Sequence, residues 1–411
     1  MHKIIAKNTF YQTLARIFSS GTGLVITIIL ARYFGIFGYG DYIKITSFVA
    51  LFYLPVDFGL NAIFLKEDQD LVEFKSLFYF RILMALGIFI LANLAAFILP
   101  FNSFLQIGFS PSVKMGIFIF SFSLFAQAII LTVSAVFQKT HSYSRYAISV
   151  IVGSLINLIF IITVILLKGT IYQVILSFLI SNFITAIVAL FLVKRRILPF
   201  SLNASFTKKI ILSSLPLGIM LVFNLVYFRI DSIILSFLKT SKDVGIYGFS
   251  YKFFDFLIAL PLFLSNSLYP FLLENKKNTR IFFNLIKNYI FIFALTGVFL
   301  IIPFLLLSPL FTLIKKDFYL SILPFNILLF SLPIFFVTSL LQWSLITLGK
   351  QKFLLYIYLI SAIINVALNL IFIPSFSYLA SAVITGVTEL LVMVILAIKL
   401  FGLKIILERE L

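Results

Sequence analysis

Nine ionisable residues lie inside long apolar stretches of this sequence. They are Arg16, Lys44, Asp57, Arg81, Arg229, Asp231, Lys252, Asp255 and Glu389. A charge in an apolar helix is costly, so such residues usually contact a substrate, line a water-filled cavity or pair with one another. Arginine and lysine can replace the water around a phosphate group with charge-assisted hydrogen bonds. Aspartate and glutamate can balance those cations or titrate with a coupling ion. These residue types therefore favour the binding of an anionic group.

Arg16 lies on a helical face of polar and small residues. At helical spacing this face holds Gln12, Arg16, Ser19, Ser20, Gly23 and Thr27. Eight Ile, Leu, Phe or Val residues from Ile17 to Leu30 favour insertion enough to offset the cost of the charge. The face is either a packing seam of small residues or a stripe that lines a pore with one cation. Lys44 and Arg81 lie nearer the ends of their stretches and could extend to the membrane interface.

A second group of charges lies in the other half of the chain. Asp231 shares a helical face with Asn224 and Tyr227, whereas Arg229 points away from it. The next apolar stretch brings two further charges to a similar depth, Lys252 and Asp255. These groups form either a structural ion-pair network or part of a binding cavity, and the sequence leaves both interpretations open.

The composition is that of a membrane protein. Apolar residues make up 62% of the chain, charged residues only 11%, and the mean hydropathy is +1.17, whereas a soluble domain is about half apolar and a quarter charged. The apolar runs are continuous and longer than the roughly ten alternating residues of a barrel strand, so we expect helices. We therefore predict an all-α polytopic membrane protein of twelve transmembrane helices, at about 9–33, 42–65, 77–99, 113–137, 146–167, 171–193, 210–238, 246–272, 286–308, 319–348, 353–373 and 378–401.

The net charge of +18 is explained by topology. With an even number of helices and the termini inside, 20 basic residues fall on the cytoplasmic side and seven on the other. This bias predicts that both termini are cytoplasmic. It also argues against a nucleic-acid partner, since the basic residues are spread over alternate loops.

Several kinds of chemistry are excluded or disfavoured. The chain has no cysteine and two histidines, so thiol catalysis and zinc–thiolate sites are excluded and a histidine metal cluster is not expected. The motif Asp68-Gln69-Asp70 has the Asp-x-Asp form of many glycosyltransferases, but it lies in a ten-residue loop with no nucleotide-binding fold around it. The turn Gly35–Gly40 lacks the lysine and the strand–helix context of a phosphate-binding loop.

The chain contains a weak internal repeat. The stretch from Asn8 to Glu67 recurs about 205 residues later, where Gly245-Ile246-Tyr247 corresponds to Gly40-Asp41-Tyr42. This offset is half the chain, and the basic connection Lys194–Lys209 falls at the midpoint. We therefore predict two six-helix lobes, an N-terminal lobe over 1–200 and a C-terminal lobe over 201–411.

Several motifs resemble those of a known family. In chain order they are LARYFGIFGYGDY, DFGLNAIFLKE, RIDSIILSFL, VGIYGFSYK, LGKQK, INVALNLIFIP and SAVITGVTEL. Together they are similar to the polysaccharide-biosynthesis branch of the multidrug/oligosaccharidyl-lipid/polysaccharide (MOP) exporter superfamily, which includes O-antigen and capsule repeat-unit flippases. The resemblance runs from about residue 8 to residue 400. The twelve predicted helices differ from members with two extra helices, a subset that includes the lipid II flippases.

The resemblance implies a fold, a substrate and a location. The fold would be two lobes in a V around a central cavity, as in the MATE transporters, working by alternating access. The substrate would be an undecaprenyl-pyrophosphate-linked oligosaccharide, moved across the bacterial inner membrane from the cytoplasmic to the periplasmic leaflet. Membrane lipids would be further partners, together with a polysaccharide polymerase and a chain-length regulator. No cofactor is expected, and H⁺ or Na⁺ is the candidate coupling ion.

The resemblance also assigns roles to the intramembrane charges. Family cavities are often cationic, and here the cations would be Arg16, Arg81, Arg229 and Lys252. The charge-balancing or ion-coupling carboxylates would be Asp57, Asp231, Asp255 and Glu389. Two rival functions remain. One is a cation-coupled multidrug antiporter of the same superfamily, which would need an acidic cavity. The other is a membrane glycosyltransferase or polysaccharide polymerase, which would need a sizeable loop domain.

Overall fold

The computed structural model describes residues 2–65, 71–193, 200 and 202–409. Across these residues the chain is almost entirely helical, as expected for backbone that must satisfy its own hydrogen bonds in lipid. The α-helices are α1 (His2–Ala50), α2 (Tyr53–Asp57), α3 (Leu60–Phe64), α4 (Leu71–Ile98), α5 (Pro111–Ser121), α6 (Ser123–Lys139), α7 (Tyr143–Leu166), α8 (Ile171–Val193), α9 (Ala204–Leu238), α10 (Ser241–Asn275), α11 (Thr279–Leu307), α12 (Phe311–Ile314), α13 (Ile322–Thr347) and α14 (Gln351–Arg409). Two short 3₁₀ helices cover Ser308–Leu310 and Lys316–Ser321.

Ten helical stretches of the described chain are long and apolar enough to cross a membrane. They are Tyr11–Phe64, Val72–Ile98, Pro111–Lys139, Tyr143–Leu166, Ile171–Val193, Ala204–Asn224, Ser241–Asn275, Thr279–Ile314, Lys316–Thr347 and Gln351–Ile405. The predicted all-helical, multi-pass membrane protein is thus confirmed. As unbroken helices the first and last stretches, of 54 and 55 residues, would each be about 80 Å long at 1.5 Å per residue, well beyond a hydrocarbon layer of about 30 Å.

Both of these long stretches contain a break in the helix. In α1 the backbone of Gly35 is not helical, with φ 68° and ψ −173°. In α14 the same is true of Ser377, with φ 50° and ψ −136°. The predicted glycine-rich turn over 35–40 is therefore a kink at its first residue, because Gly38 and Gly40 continue as helix.

A two-stranded hairpin joins α4 to α5. Its strands, β1 (Phe101–Asn102) and β2 (Ile107–Gly108), pair antiparallel. The Lys44 side chain of α1 is buried and its Nζ donates a hydrogen bond of 2.6 Å to the Gly108 carbonyl. It also lies 5.9 Å from the centre of the Phe109 ring. Lys44 therefore anchors the hairpin.

The chain forms two compact units. Unit 1 comprises 1–33 and 41–229, and unit 2 comprises 34–40 and 230–411. The predicted lobe boundary at 200/201 adjoins residues outside the described part of the chain and stays a prediction. The Asp68-Gln69-Asp70 motif also lies outside the described residues.

Unit 1 has an aromatic and aliphatic core where α3, α4, α6, α8 and α9 meet. Phe64 and Phe206 stack edge to face in it, with ring centres 6.4 Å apart, and Phe74 and Phe137 are fully buried. The start of α9 is fixed by Asn203, whose backbone N–H donates to the Ser76 hydroxyl and whose side-chain oxygen caps the helix at the Phe206 N–H. These contacts hold α9 against α4.

Unit 2 has an aromatic core completed by residues from α1. Phe249 of α10 lies 4.5 Å from Phe318, centre to centre, and the buried Tyr39 ring packs edge-on to both. A Cβ on Gly40 would lie 1.7 Å from the Ser241 carbonyl oxygen, and one on Gly245 would lie 2.1 Å from that of Ile36. The backbones of α1 and α10 thus touch within unit 2 at Gly40 and Gly245, the two glycines that correspond in the internal repeat.

The predicted helix over 42–65 is interrupted. Phe58 and Gly59, which separate α2 from α3, both have left-handed backbone, with φ 43° and 71°. A left-handed phenylalanine is strained, so surrounding contacts must hold it. The Phe58 ring fills the space beside Gly218 of α9, where a Cβ would lie 2.7 Å from it. The break places Asp57 at the end of α2 and Asn61 in α3, which positions both for the site described next.

Candidate functional site

A cavity of about 650 Å³ lies inside unit 1, among α1, α2, α3, α6, α7 and α9. Its polar lining consists of Gln12, Arg16, Ser19, Ser20, Asp57, Asn61, Ser134, Gln138, Tyr143 and Tyr146. We call it the Arg16 cavity. Charged and hydrogen-bonding groups cannot face lipid without a large free-energy cost. A cavity lined by such groups inside a membrane-spanning unit is therefore suited to a polar ligand.

Arg16 is an exposed cation of this cavity. No hydrogen bond or ion pair to another described residue holds its guanidinium group. Three residues of the predicted polar face line the cavity with it, namely Gln12, Ser19 and Ser20. Further along α1 the same face is buried at Thr27. The face is thus a cavity wall near the start of α1 and a packing surface further along, and its predicted role in lining a pore stays a prediction.

Arg81 lies behind the cavity wall. Its side chain is 0% exposed, and its guanidinium donates to the Asn61 side-chain oxygen at 2.7 Å and to the Thr132 hydroxyl at 3.3 Å. It also forms an ion pair with Asp57, at 3.5 Å, and that carboxylate remains 25% exposed. Two wall residues of the Arg16 cavity, Asp57 and Asn61, are therefore oriented by a buried cation.

The resulting arrangement has an excess of positive charge. Asp57 is paired with Arg81, and the described lining of the cavity contains no other carboxylate. Arg16 therefore remains available to an incoming anion. An arginine can bind phosphate oxygens in a bidentate manner, and the adjacent amides and hydroxyls can complete the hydrogen bonding.

A second cavity of about 250 Å³ lies beside the first, among α1, α6, α7 and α8 of unit 1. The two cavities share Ser19, Tyr146 and Val150 as lining residues. Three carboxamide side chains line the second cavity, those of Gln127, Asn157 and Asn182, together with hydroxyls of α7 and α8. The described residues around it carry no charge. We call it the amide cavity.

The other predicted charges belong to different surroundings. Asp231 is buried in unit 2, where one carboxylate oxygen accepts hydrogen bonds from the Tyr247 and Thr385 hydroxyls and the other accepts from the Ser232 N–H at 2.6 Å. Glu389 is also buried in unit 2, whereas Asp255 is half-buried and Lys252 is exposed.

Arg229 is half-buried and is the last residue of unit 1 on α9. Of the eight predicted site residues, the structure brings together Arg16, Asp57 and Arg81. The functional roles predicted for all eight stay predictions. Within the described ranges, no three His, Cys, Asp or Glu side chains are grouped so that they could hold a metal ion.

Comparison with known proteins gives the family. A family model described as "Polysaccharide biosynthesis protein" matches residues 5–276, well over half of the sequence. The chain belongs to this polysaccharide biosynthesis family. The resemblance drawn from the motifs is thereby confirmed at the level of this family. No curated protein sequence matches the chain.

Solved structures share the fold of this family member. The lipid II flippase MurJ in an inward closed conformation matches with a TM-score of 0.78 and 16% identity, over 95% of this chain and 87% of MurJ. An inward-facing multidrug resistance MATE transporter of the MOP superfamily matches with a TM-score of 0.68 and 11% identity, over 98% and 96%. A MOP superfamily transporter from Pyrococcus furiosus matches with a TM-score of 0.63 and 11% identity, over 99% and 96%. At these identities the likeness establishes a MATE- and MurJ-like fold.

Several polar residues of the site were not anticipated from the sequence. Asn61 follows Asp57 by four residues across the break between α2 and α3, and its amide also donates to the Leu131 carbonyl and the Ser134 hydroxyl. Gln127, Asn157 and Asn182 are isolated carboxamides in otherwise apolar runs. That isolation is the signal in the sequence that marks them.

Proposed function

We propose that this protein is a flippase that moves a lipid-linked oligosaccharide repeat unit across the bacterial inner membrane. The substrate is an undecaprenyl-pyrophosphate-linked unit of O-antigen or another surface polysaccharide, and it moves from the cytoplasmic to the periplasmic leaflet by alternating access. The observation that carries the proposal is the exposed Arg16 in a polar cavity of a membrane-spanning unit. The family membership supports it, since the family is one of polysaccharide biosynthesis.

The chemistry of the substrate matches the cavity. A pyrophosphate must lose water to cross the hydrocarbon layer, and charge-assisted hydrogen bonds from arginine can replace that water. The lipid tail stays in the bilayer, so only the headgroup and sugars need a polar environment. The fold is shared with MurJ, which is named as a lipid II flippase. That likeness is compatible with a lipid-linked substrate here.

The architecture that we propose has twelve crossings. The stretches Tyr11–Phe64 and Gln351–Ile405 would each cross twice, with the reversals near the breaks at Gly35 and Ser377, and the other eight stretches once each. Twelve crossings put both termini on one side, which the loop charges favour as the cytoplasm. The helices would form two six-helix lobes, 1–200 and 201–411.

The remaining roles are part of the same proposal. Arg229 and Lys252 would contact the headgroup together with Arg16. Asp57, Asp231, Asp255 and Glu389 would balance these cations or couple transport to H⁺ or Na⁺. A polysaccharide polymerase and a chain-length regulator would act on the product.

A multidrug antiporter is the alternative that one observation favours. Asp57 presents a partly exposed carboxylate to the Arg16 cavity, and a cationic drug would need such a group. The Arg81 ion pair neutralises that carboxylate, so we rank the antiporter second. The Pyrococcus furiosus transporter structure is described as having a binding pocket of reverse polarity that suggests a different function. That description supports the use of cavity charge to infer function in proteins of this fold.

The test is to change Arg16 and measure surface polysaccharide in cells that lack the wild-type chain. Arg16→Ala should reduce display about tenfold or more at equal protein level, because hydrogen bonds to a charged group contribute roughly 1.5–3 kcal/mol. Arg16→Lys should keep part of the activity. Arg145→Ala is the matched control, because Arg145 is an exposed arginine of α7 outside the cavity lining. Normal display by Arg16→Ala, or drug resistance that depends on the chain with unchanged polysaccharide, would overturn the proposal.

A further inference from the structure

The amide cavity differs in chemistry from the Arg16 cavity beside it. Its polar groups are neutral carboxamides and hydroxyls, and its volume of about 250 Å³ is below the roughly 300–1,000 Å³ of pockets for drug-sized ligands. A small neutral ligand with many hydroxyl groups would fit such a lining, because a carboxamide offers both donors and acceptors.

The three carboxamides make no hydrogen bonds to other described residues. No bond is formed by the side chains of Gln127, Asn157 or Asn182, and the Asn157 side-chain oxygen is buried without a partner. Buried polar atoms are nearly always hydrogen bonded, since an unpaired one costs roughly 1–3 kcal/mol. The hydroxyls on the same wall, unlike the carboxamides, do form hydrogen bonds within the protein. Ser181 and Thr185 donate to the carbonyls one turn back in α8, at 2.7 and 2.9 Å, so their oxygens are left as acceptors.

The wall of the cavity is well fixed. Gly153 of α7 lies so close to α8 that a Cβ there would be 1.8 Å from the Thr185 hydroxyl oxygen. Tyr146, Gly153 and Asn157 fall at helical spacing on one face of α7, and Phe178, Asn182 and Thr185 do so on α8. Amides on closely packed helices are oriented before a ligand arrives, which lowers the entropic cost of binding.

Two aromatic rings border these amides. Tyr146 lines both cavities, and Phe178 of α8 stacks against Tyr42 of α1 with ring centres 5.4 Å apart. An aromatic face can cover the apolar face of a sugar ring while amides bind its hydroxyl edge. This combination favours a saccharide over an ion, for which the cavity has no charged group.

We propose that the amide cavity binds the sugar attached directly to the pyrophosphate. The proposal rests on the function proposed above, in which Arg16 contacts the pyrophosphate. Because the two cavities share Ser19, Tyr146 and Val150, a pyrophosphate beside Arg16 has its first sugar at the entrance of the amide cavity. The amide cavity therefore distinguishes glycosylated from sugar-free carrier lipid.

The experiment compares binding of two kinds of lipid to the purified full-length protein in lipid nanodiscs, by native mass spectrometry. One probe is undecaprenyl diphosphate. The others are undecaprenyl diphosphates that carry one sugar, either glucose, galactose, N-acetylglucosamine or N-acetylgalactosamine. At least one sugar-bearing lipid should bind about tenfold more tightly than the sugar-free lipid, as two or three added hydrogen bonds predict.

Substitutions then test whether the amide cavity is responsible for the gain in affinity. Asn157→Leu and Asn182→Leu remove the amides at similar volume and should abolish the tenfold gain while leaving the affinity for sugar-free lipid unchanged, which also shows that the variants are folded. Asn288→Leu, the same change at an exposed position of α11, should keep the full gain.

Three results would overturn the proposal, and they separate it from the function on which it rests. If no sugar improves binding to the wild-type protein, the cavity is not a saccharide subsite. The same follows if both leucine variants keep the gain. In either case binding of undecaprenyl diphosphate would leave the flippase proposal standing. If the wild-type protein binds neither kind of lipid more tightly than undecaprenol, the neutral carrier lipid without phosphate, both proposals fail.

Discussion

Arg16 and Arg81 lie in the same unit and have opposite environments. Arg16 is exposed to a cavity, whereas Arg81 is fully buried and bonded to Asp57, Asn61 and Thr132. Only the Nε atom of this buried guanidinium is without a hydrogen-bond partner. In this structure Arg81 orients Asp57 and Asn61, and its predicted contact with a substrate stays a prediction.

Removal of Arg81 should destabilise the protein strongly. Arg81→Met leaves the Asn61 oxygen without its buried partner and the 25% exposed Asp57 carboxylate without its cation, and leaving such groups unpaired costs about 1–3 kcal/mol each. Adding Asp57→Asn should recover part of the loss, because the uncompensated charge is then gone. Denaturant unfolding of the purified protein measures both effects. Arg145→Met is the control, and a loss for Arg81→Met no larger than that of Arg145→Met would refute the structural role.

At this scale the sequence predicted which residues carry charge in the membrane, but not their environments. Asp57 and Arg81 are 24 residues apart on helices whose packing the sequence pattern does not define. Asn61 and Thr132 are uncharged, so nothing in their type marked them as partners of Arg81. The surroundings of Arg16 were easier to predict, because its neighbours on the polar face are close to it in the sequence.

At the scale of elements, the break between α2 and α3 has the largest effect on the site. Hydropathy predicted a continuous helix over 42–65. The length of an apolar segment indicates that the segment spans the membrane, but it does not indicate where the backbone bends. The break depends on contacts with α9, a distant element: Phe58 packs beside Gly218, and a Cβ on Gly59 would lie 2.8 Å from Leu217. Local strain that distant packing maintains cannot be inferred from the local sequence.

Gly59→Ala should therefore destabilise the protein and weaken transport. A left-handed backbone costs an alanine about 1–2 kcal/mol relative to glycine, and the added methyl group also meets Leu217. Gly87→Ala on α4 is the matched control, because it is helical and has open space around it. That control should be neutral or gain roughly 0.5–1 kcal/mol. Thermal unfolding in detergent gives the comparison, and equal melting temperatures for the two variants would contradict the argument.

At the scale of the whole molecule, composition alone was sufficient for the helical membrane fold. Long apolar runs in lipid leave the backbone few alternatives, so this level of structure is nearly dictated by hydropathy. The division into two units could not be predicted from composition in the same way. Residues 34–40 belong to unit 2 although the rest of the first 229 residues form unit 1, and no feature of the sequence between Tyr33 and Asp41 indicated it.

The orientation predicted from the loop charges can be tested with fusions. Alkaline phosphatase, which is active only in the periplasm, should be active when fused after Ser103, in the hairpin between β1 and β2. It should be inactive when fused after His141, between α6 and α7. Green fluorescent protein fusions at the same positions should give the opposite pattern. Phosphatase activity at His141 without activity at Ser103 would invert the assignment.

The placement of residues 34–40 in unit 2 has a consequence for how the protein is made. Gly40 touches Gly245, which leaves the ribosome 205 residues later, or about 10–40 s at 5–20 residues per second. During that interval Tyr39 has emerged but the rings of Phe249 and Phe318 that enclose it have not. Biogenesis therefore includes a period in which the kinked first helix is inserted while its own packing site is still being synthesised. A ribosome stalled before residue 249 would hold a chain whose second unit cannot close.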